Sequence, residues 1–557
     1  MMVQPRTFRF LALAWAALLL PAAALAQREL KDIPDPAPEI EAATLELADG
    51  FEINLFASDP LLAKPIQISF DADGRLWVAA SETYPQVKPG QTPNDKILVL
   101  EDANGDGRAD KTSIFVEGLL IPTGVEPGDG GVYVANSTEL LFLKDTDGDG
   151  RADTYRVLLS GFGTEDTHHI LHGFRRGPDG RLYMSQGRYI HSHIETPWGV
   201  RHMGSACIWQ FRPETSELDA FARGLYNPWG NTFDRWGQSF ATDGAGVQGI
   251  NYFFPGAMMI DTPGAGRTLE GLNPGSPKES GLEIVDGRHL PDDLQGSLLT
   301  ADFRAHRICR YTVSDDGSGF ASRQQPDLVR SRHVAFRPID IKQGPDGAIY
   351  IADWYNPIIQ HGEVDFRDPR RDHVHGRIWR VTAKGRPLND RPQLAGASIP
   401  ALLTALEAPE SVTRHFARQV LKERGDAVLP ELAVWLNALD IRKPDHEHHL
   451  LEGLWTQQSL SAVSPQLLAR LLAAKDPRAR AAAVRVVGDL HRQLPDAQAM
   501  LESRIVDDHP RVRLEAVVAL TRLSSAKAVQ IAMRALDRPT DRFLDHALYV
   551  AARSSAD

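Results

Sequence analysis

The period of the apolar positions changes once along the chain. From about residue 50 to residue 384, short apolar runs of strand length alternate with clusters of Gly, Pro, Asp and Asn. From residue 398 onwards, apolar residues recur every three or four positions, as they do in amphipathic helices. The pattern predicts an all-β domain over 50–384, a linker over 385–397 and an all-α domain over 398–557.

A tight turn followed by a strand recurs six times in the β-rich part. The clearest copy is Gly-Pro-Asp-Gly at 177–180, in which Pro pre-sets the turn, Asp can bond its own backbone and Gly accepts a positive φ. The turn glycines of the six copies, 50 to 59 residues apart, are Gly74, Gly130, Gly180, Gly237, Gly296 and Gly347. This near-constant period predicts a β-propeller with one four-stranded blade per copy. Six blades are expected, and a seventh is possible if the N-terminal segment closes against the last blade.

The helical part contains its own repeat. Asp476-Pro477 and Asp508-His509-Pro510 lie 32 residues apart, and each precedes an apolar helical pattern. Asp caps a helix and Pro fits its first turn. The spacing predicts a HEAT-like solenoid, whose surface could bind a protein partner. Because an amphipathic pattern at 543–552 lies close to the last residue, we expect either that the natural polypeptide continues past Asp557 or that another subunit covers this end.

The first residues predict export. Arg6 and Arg9 precede an apolar stretch at 10–20, and Ala-Leu-Ala at 24–26 fits a cleavage site. We therefore expect a signal peptide at 1–26, a Pro- and Glu-rich arm at 27–49, and a periplasmic or cell-surface protein. An uncleaved anchor is the alternative, although the apolar stretch is short for a membrane span.

Charge and cysteine content remove some functions. The net charge of −12 argues against nucleic-acid binding. Cys207 and Cys309 fall in different predicted blades, which favours two buried thiols over a disulfide. The chain has no Cys-x-x-Cys-His motif, so it carries no covalent c-type haem.

Two nearly identical acidic loops could bind Ca²⁺. Each places side-chain oxygens at positions 1, 3, 5 and 9 and Gly at position 6, a pattern that suits a calcium loop. The candidate ligands are Asp102, Asn104, Asp106 and Asp110 in one loop, and Asp145, Asp147, Asp149 and Asp153 in the other. Position 12 lacks the usual Glu, and the alternative is a hairpin turn whose Asp side chains bond backbone N–H groups.

Histidine and arginine are concentrated in one stretch. It comprises His168, His169, His172, Arg188, His191, His193, Arg201 and His202. Histidines can bind a metal or act as a general base near neutral pH, although many are simply surface or core residues.

Polar residues also follow three strands that we assign as the inner strands of their blades. They are Asp243, then Asp302, Arg304 and His306, then Asp353, Trp354 and Tyr355. We expect them at the mouth of the central channel, the usual propeller ligand site. The Trp-Tyr pair can stack on a sugar or on a planar cofactor, whereas the alternative is an Asp-Trp pair that locks a blade.

Three segments of the predicted propeller resemble the soluble quinoprotein glucose/sorbosone dehydrogenases. The similar segments are the His-x-x-x-Gly run beginning at His169, Gly-Leu-Tyr-Asn-Pro-Trp-Gly at 224–230, and the Gly-rich stretch from Asp243 to Asn251. The resemblance implies that His169 takes a proton from a sugar hydroxyl while hydride passes to pyrroloquinoline quinone (PQQ). Tyr226 and Trp229 replace the family's arginine and glutamine.

Longer motifs at 189–199, 353–357 and 373–381 resemble a family of membrane-bound dehydrogenases typical of planctomycetes and verrucomicrobia. That family joins such a propeller to HEAT-like helices and often to a C-terminal c-type cytochrome domain. The resemblance implies electron transfer to a cytochrome c-type domain or partner.

Together these observations favour an exported dehydrogenase that oxidises a sugar or polyol hydroxyl. We predict His169, Arg188, Arg304 and His306 as the catalytic residues. The predicted cofactor-binding residues are Asn227, Asp243, Asn251, Asp353, Trp354 and Tyr355, with PQQ and Ca²⁺ as candidate cofactors. Two alternatives are a non-enzymatic glycan-binding or scaffold protein, and a metal-dependent, lactonase-like hydrolase with Asp243, Asp302 and Asp353 as ligands.

Overall fold

The computed structural model describes residues 30–244, 248–260, 265–273, 278–359, 364–391 and 393–554. The predicted signal peptide at 1–26 and part of the Gly-rich stretch after Asp243 lie outside these residues. Within them, no helix is both long enough and apolar enough to cross a bilayer.

Six β-sheets form a closed ring, because the innermost strand of each sheet packs against the innermost strands of both neighbours. This is the six-bladed propeller that the turn repeat predicts. Strands β1 (Leu45–Leu47) and β2 (Phe51–Ser58) precede the first blade. Blade by blade, the others are β3 (Pro65–Phe70), β4 (Leu76–Ala80), β5 (Asp95–Glu101) and β6 (Lys111–Leu119); β7 (Pro122–Gly128), β8 (Gly131–Asn136), β9 (Glu139–Lys144) and β10 (Thr154–Ser160); β11 (His172–Arg176), β12 (Leu182–Gln186), β15 (Cys207–Arg212) and β16 (Glu217–Arg223); β17 (Pro228–Phe233), β18 (Ser239–Asp243) and β19 (Ile250–Phe253); β21 (Glu279–Val285), β22 (Ser297–Asp302), β23 (Arg307–Asp316) and β24 (Gly319–Ser331); and β25 (Pro338–Gln343), β26 (Ile349–Asp353) and β27 (Arg377–Ala383).

The third blade carries additions. A hairpin of β13 (Ser192–Thr196) and β14 (Gly199–Met203) is inserted between its second and third strands. Strand β20 (Ala257–Met258) pairs in parallel with β16.

The N-terminal segment closes the ring without forming a seventh blade. Strand β2 pairs with β27, with Phe51 opposite Ala383 and Ser58 opposite Arg377, so it supplies the fourth strand of the sixth blade. Strand β1 extends the edge of the fifth blade. The possibility of a seventh blade is therefore wrong, because the segment that could have formed it completes the sixth.

The arm before the propeller packs against it. Residues 38–42 form helix α1 (Pro38–Ala42), and Glu41 from this helix forms a fully buried ion pair with Arg377. The Tyr355 hydroxyl donates to the Pro34 carbonyl at 3.4 Å. The segment therefore lies along the last blade.

The repeated turn joins the first and second strands of each blade. Asp179 accepts from the Arg181 N–H at 3.2 Å and from the Tyr183 hydroxyl at 3.0 Å. Asp346 makes the same pair of bonds in the sixth blade. The strand after each turn is thus the second strand of its blade and not the innermost one, as it was assigned from the sequence.

The all-α part begins after the sixth blade. Its helices are α2 (Ile399–Ala405), α3 (Ser411–Arg424), α4 (Leu429–Ala438), α5 (His446–Ser459), α6 (Pro465–Leu472), α7 (Pro477–Asp489), α8 (Ala497–Arg504), α9 (Pro510–Thr521), α10 (Ala526–Met533) and α11 (Arg542–Ser554), with 3-10 turns at Asp292–Leu294, Gly425–Val428 and Arg534–Asp537. Asp476 caps α7 as predicted, whereas His509 and not Asp508 caps α9.

The helices cover the face of the propeller that carries the repeated turns. Arg181 beside one turn pairs with Asp489 of α7 at 3.3 Å. Arg511 of α9 donates to the Ser318 carbonyl at 3.2 Å. A ligand can therefore reach the propeller axis most directly from the opposite face.

Both cysteines, Cys207 and Cys309, are buried free thiols, as expected.

Candidate functional site

An axial cleft opens on the propeller face away from the helices. All six innermost strands contribute to its wall, which places it on the axis of the ring. One residue from each strand in turn is Gln67, Thr123, His172, Asn231, Gly281 and Asp340. The cleft encloses about 140 Å³.

His169 lies in the wall of this cleft and is 3% exposed. Its backbone is fixed twice, because its N–H donates to the Asp166 carbonyl at 2.9 Å and its carbonyl accepts from Gly187 at 2.9 Å. A Cβ on Gly187 would lie 2.2 Å from the His169 Cβ, so only glycine allows this approach. The His169 ring meets the Trp229 ring edge-on at 5.6 Å, and its Nε2 lies 4.0 Å from Oδ2 of Asp166.

The carboxyl group of Asp166 is held ionised beside His169. Burial on its own would raise the pKa of Asp166, but a hydrogen bond from His168 and the two neighbouring imidazoles lower it overall. Nδ1 of His168 lies 3.1 Å from Oδ1. The site therefore contains a carboxylate that can stabilise a proton on His169.

His172 has a different environment. Its Nε2 lies 2.7 Å from the Pro228 carbonyl, and its Nδ1 faces the Ile170 carbonyl. Burial lowers its pKa. With both ring nitrogens against carbonyl oxygens, His172 connects β11 to β17.

Aromatic rings form the sides of the cleft. Trp229 contacts His169, His172 and Phe303. Trp354 meets the Tyr84 ring edge-on at 5.4 Å on another side. These rings offer flat apolar faces to a sugar or to a planar ligand.

The polar part of the lining is cationic. Arg304 is exposed at the mouth and makes no hydrogen bond or ion pair with any described residue. Arg337 is 1% exposed and donates to the carbonyls of Phe303 and Asn356; burial and the nearby Arg304 lower its pKa to about 9. Among the described residues, Asp340 is the sole carboxylate of the lining, and it pairs with Lys342 at 3.0 Å.

Four of the predicted catalytic and cofactor-binding residues line the cleft: His169, Arg304, Asn227 and Trp354. The other six, Arg188, His306, Asp243, Asn251, Asp353 and Tyr355, lie outside this lining and are held by contacts of their own.

Two of these six residues are carboxylates that hold the backbone around the cleft. Asp243 accepts from the N–H groups of Tyr226 at 3.0 Å and Asn227 at 2.8 Å. Asp353 accepts from the N–H groups of Arg337 at 2.8 Å and Tyr355 at 2.9 Å. These carboxylates thus position cleft residues through the backbone.

Of the other four residues outside the lining, one is itself an arginine, Arg188, and the other three contact arginines. Asn251 accepts from Arg267 at 2.5 Å. Arg377 lies 4.2 Å above the Tyr355 ring. His306 lies against Arg337, and burial together with that guanidinium lowers its pKa to about 4. His306 is thus neutral near pH 7. Asp302, a ligand of the hydrolase alternative, pairs with Arg307 at 3.1 Å and also lies outside the lining.

Sequence reasoning missed Tyr84, Arg337 and Arg371 in the lining. For Arg337 a signal existed, because the innermost strands of four blades begin with proline: Pro65, Pro122, Pro228 and Pro338. The residue before each proline stands at the cleft end of its strand, as both Asn227 and Arg337 do. Tyr84 and Arg371 come from loops with no comparable pattern.

The two acidic loops lie away from the cleft. In the first, Asp102 accepts from Gly105, Gly107 and the Arg391 guanidinium, the last at 2.6 Å. In the second, Asp145, Asp147 and Asp149 present oxygens within 4.8 Å of one another, close enough to share a metal ion. The hydrogen bonds from backbone N–H groups to Asp side chains in both loops are those of a hairpin turn, and in the second loop the three carboxylates also lie close together.

The ring, the axial cleft and the helical extension define a six-bladed propeller protein with an open cleft on the propeller axis. The chain belongs to the family described as a domain of unknown function, DUF7133, whose model matches residues 37–270 and 276–385. HEAT repeats match residues 464–553. No curated protein matches the sequence.

Solved structures similar to this chain include several sugar dehydrogenases. An oxidoreductase described as a glucose dehydrogenase, from Thermus thermophilus, is 16% identical with a TM-score of 0.42, over 60% of this chain and 100% of that one. The PQQ domain of pyranose dehydrogenase from Coprinopsis cinerea is 13% identical with a TM-score of 0.41, over 61% and 97%. The PQQ-bound aldose sugar dehydrogenase from Streptomyces coelicolor is 15% identical with a TM-score of 0.40, over 60% and 99%. At these identities the likeness concerns the fold alone.

Proposed function

We propose that this protein is an exported dehydrogenase that oxidises a hydroxyl group of a sugar or polyol in the axial cleft. The observation that carries the proposal is the position of His169, which lies in the cleft wall with Asp166 behind it and Trp229 beside it. A base, a counter-charge and a flat apolar face are the groups that abstraction of a sugar hydroxyl proton requires.

Oxidation of a secondary alcohol breaks the O–H and C–H bonds and forms a carbonyl. In the proposed reaction, His169 accepts the hydroxyl proton, and the hydrogen on carbon leaves as hydride to an organic acceptor. The Asp166 carboxylate, 4.0 Å from Nε2 of His169, stabilises the resulting imidazolium.

A carboxylated quinone such as PQQ suits the chemistry of the lining. Arg304 and Arg337 can pair with carboxylates, while Trp229 and Trp354 offer faces to a planar ring system. When bound, such a quinone would accept the two electrons of the hydride. Ca²⁺ inside the cleft does not fit, because Asp340 is the sole carboxylate lining it in the described part of the chain and is already paired with Lys342.

Electrons must then leave the protein, which carries no haem attachment motif. We propose a c-type cytochrome domain or partner as the acceptor, and the HEAT-like helices as a surface on which a protein partner could bind. Export rests on the signal-like residues at 1–26.

The test is dye reduction by the purified full chain with PQQ, with and without Ca²⁺, over a panel of aldoses and polyols. We expect turnover with at least one sugar, reduced by about 10²–10⁴-fold in His169→Gln. His191→Gln, an exposed histidine outside the cleft, is the matched control and should retain full activity. If no sugar is oxidised, and glycans bind equally to wild type and His169→Gln, the protein is a glycan-binding module instead.

A further inference from the structure

A second cavity lies at the other end of the propeller axis, between the propeller and the helices. We call it the axial chamber. Its walls are innermost strands of the propeller on one side and helices α3 and α5 on the other. Lys342 lines both the chamber and the cleft, so the two cavities lie on opposite sides of this residue.

Paired charges surround the chamber. Arg175 makes two hydrogen bonds to Glu283, at 2.7 and 2.9 Å. Arg418 of α3 pairs with Glu452 of α5. His415 of α3 lies 4.0 Å from Glu126 of β7. Side chains from both halves of the molecule therefore face one internal space.

The accessible part of this wall is basic. The side chains of Arg175, His415 and Arg418 are 23%, 23% and 14% exposed. Their acidic partners also line the chamber but are less exposed: the side chains of Glu283 and Glu126 are each 6% exposed, and that of Glu452 is 1% exposed. An occupant therefore meets nitrogen donors before it meets carboxylate oxygens.

Arg176, His415 and Glu126 add to the basic character of the chamber wall. Arg176 lines the chamber at 4% exposure, and its Nε and Nη2 have no hydrogen-bond partner among the described residues. Burial together with Arg418, Arg175 and Arg176 lowers the pKa of His415 well below its usual value, so three guanidinium groups act on the same point. Burial also raises the pKa of Glu126, which weakens its negative charge.

We propose that the axial chamber binds a small oxyanion between the propeller and the helices. Guanidinium groups favour planar or tetrahedral oxyanions, because they offer several N–H donors in a fixed geometry. Inorganic phosphate and a small dicarboxylate such as malonate share this chemistry. Since the occupant touches both halves of the molecule, its binding also stabilises their interface.

The experiment is calorimetric titration of the full chain with sodium phosphate and, separately, with malonate, against sodium chloride of equal ionic strength. We expect saturable binding of one anion, at least tenfold weaker in Arg418→Gln. Arg442→Gln replaces an arginine on the helical surface that is paired with Asp440, and it should leave the affinity unchanged. Whichever of the two anions binds more tightly shows whether the chamber prefers a phosphate or a carboxylate ligand.

A second variant keeps the test valid if Arg418→Gln does not fold. His415→Glu places a carboxylate in the chamber and should abolish binding, while circular dichroism confirms the fold. The proposal is overturned if titration with phosphate and malonate releases no more heat than titration with sodium chloride. It is also overturned if a folded chamber variant binds the anion with unchanged affinity. Loss of binding in Arg304→Gln alone would overturn it too, because that result places the anion in the cleft.

Discussion

The guanidinium group of Arg188 lies 4.5 Å above the ring centroid of Tyr226. Tyr226 stands where the quinoprotein dehydrogenases that this sequence resembles have an arginine. Arg188 thus places a cation beside Tyr226, although Arg188 lies outside the lining of the cleft. Arg304, in contrast, lines the mouth without a partner among the described residues.

This difference predicts unequal effects for two arginines that the sequence placed in one role. Arg304→Gln should weaken binding of PQQ about tenfold or more, because a charge-assisted hydrogen bond to a carboxylate contributes roughly 1.5–3 kcal/mol. Arg188→Gln should change it less than threefold. Quenching of tryptophan fluorescence during a PQQ titration measures both, since Trp229 and Trp354 line the cleft. Equal losses would show that Arg188 reaches the ligand.

Removing the charge of Asp166 should slow oxidation without much change in KM. In Asp166→Asn the imidazolium of His169 loses its counter-charge, so we expect kcat to fall about 10- to 100-fold. The acid limb of the pH–rate profile should also move to lower pH. Glu165→Gln, at an exposed carboxylate that pairs with His191, is the control and should behave as wild type. An unchanged pH profile in Asp166→Asn would argue against a role for this carboxylate.

Glu279 predicts a pH dependence of stability. This residue is fully buried, and burial raises its pKa to about 8. Because the folded state holds the proton more tightly than the unfolded state, with its pKa of about 4.3, the associated stability is present below about pH 4.3 and is lost as pH rises through about 8. Glu279→Gln keeps an oxygen for the Tyr311 hydroxyl, which lies 2.8 Å from the carboxylate, and removes the titration.

The measurement is urea denaturation of both proteins at pH 5 and pH 8.5. Glu279→Gln should lose less stability over this interval than wild type, by roughly a few kcal/mol. If the two proteins show the same pH dependence, Glu279 is already ionised at pH 5.

Arg511 should be important for attaching the helices to the propeller. It is 2% exposed, lies 3.9 Å above the Phe320 ring and pairs with Asp315 at 2.9 Å. Arg511→Ala should lower the free energy of unfolding by roughly 2 kcal/mol or more, because two propeller carbonyls lose their donors.

The matched control is Arg538→Ala, which removes an exposed arginine paired with Asp508. Such surface pairs contribute roughly 0–1 kcal/mol. Urea denaturation measures both variants. A similar small loss in each would show that the helices are held by other contacts.

The acidic loops should differ in Ca²⁺ binding. The loop at 102–110 already holds the Arg391 guanidinium on Asp102, so a second cation there is opposed by like charge. The loop at 145–153 keeps three close carboxylates. Calorimetry should therefore detect Ca²⁺ binding at no more than one of the two loops. Asp147→Ala should remove this binding signal. Binding that survives Asp147→Ala but is lost in Asp106→Ala would contradict this assignment.

The six-bladed ring could be predicted from the sequence because each blade contains a local signal, the turn between its first and second strands. The turn around Asp179 specifies its own backbone geometry and positions Tyr183 four residues later. The cap of α7 at Asp476 is similarly local. Trp354 was predicted from its place directly after a strand, whereas His169 was predicted from the resemblance to quinoprotein dehydrogenases.

The composition of the cleft and of the chamber was decided by the tertiary structure. Arg337 meets Phe303 and Arg304 across the gap between two blades, and His415 meets Glu126 although almost three hundred residues separate them. Strand β2 closes the sixth blade by pairing with β27 from the far end of the domain. Short-range patterns fix turns and caps because those depend on a few consecutive residues. Which charges share a cavity depends on where the ring closes and on which face the helices pack.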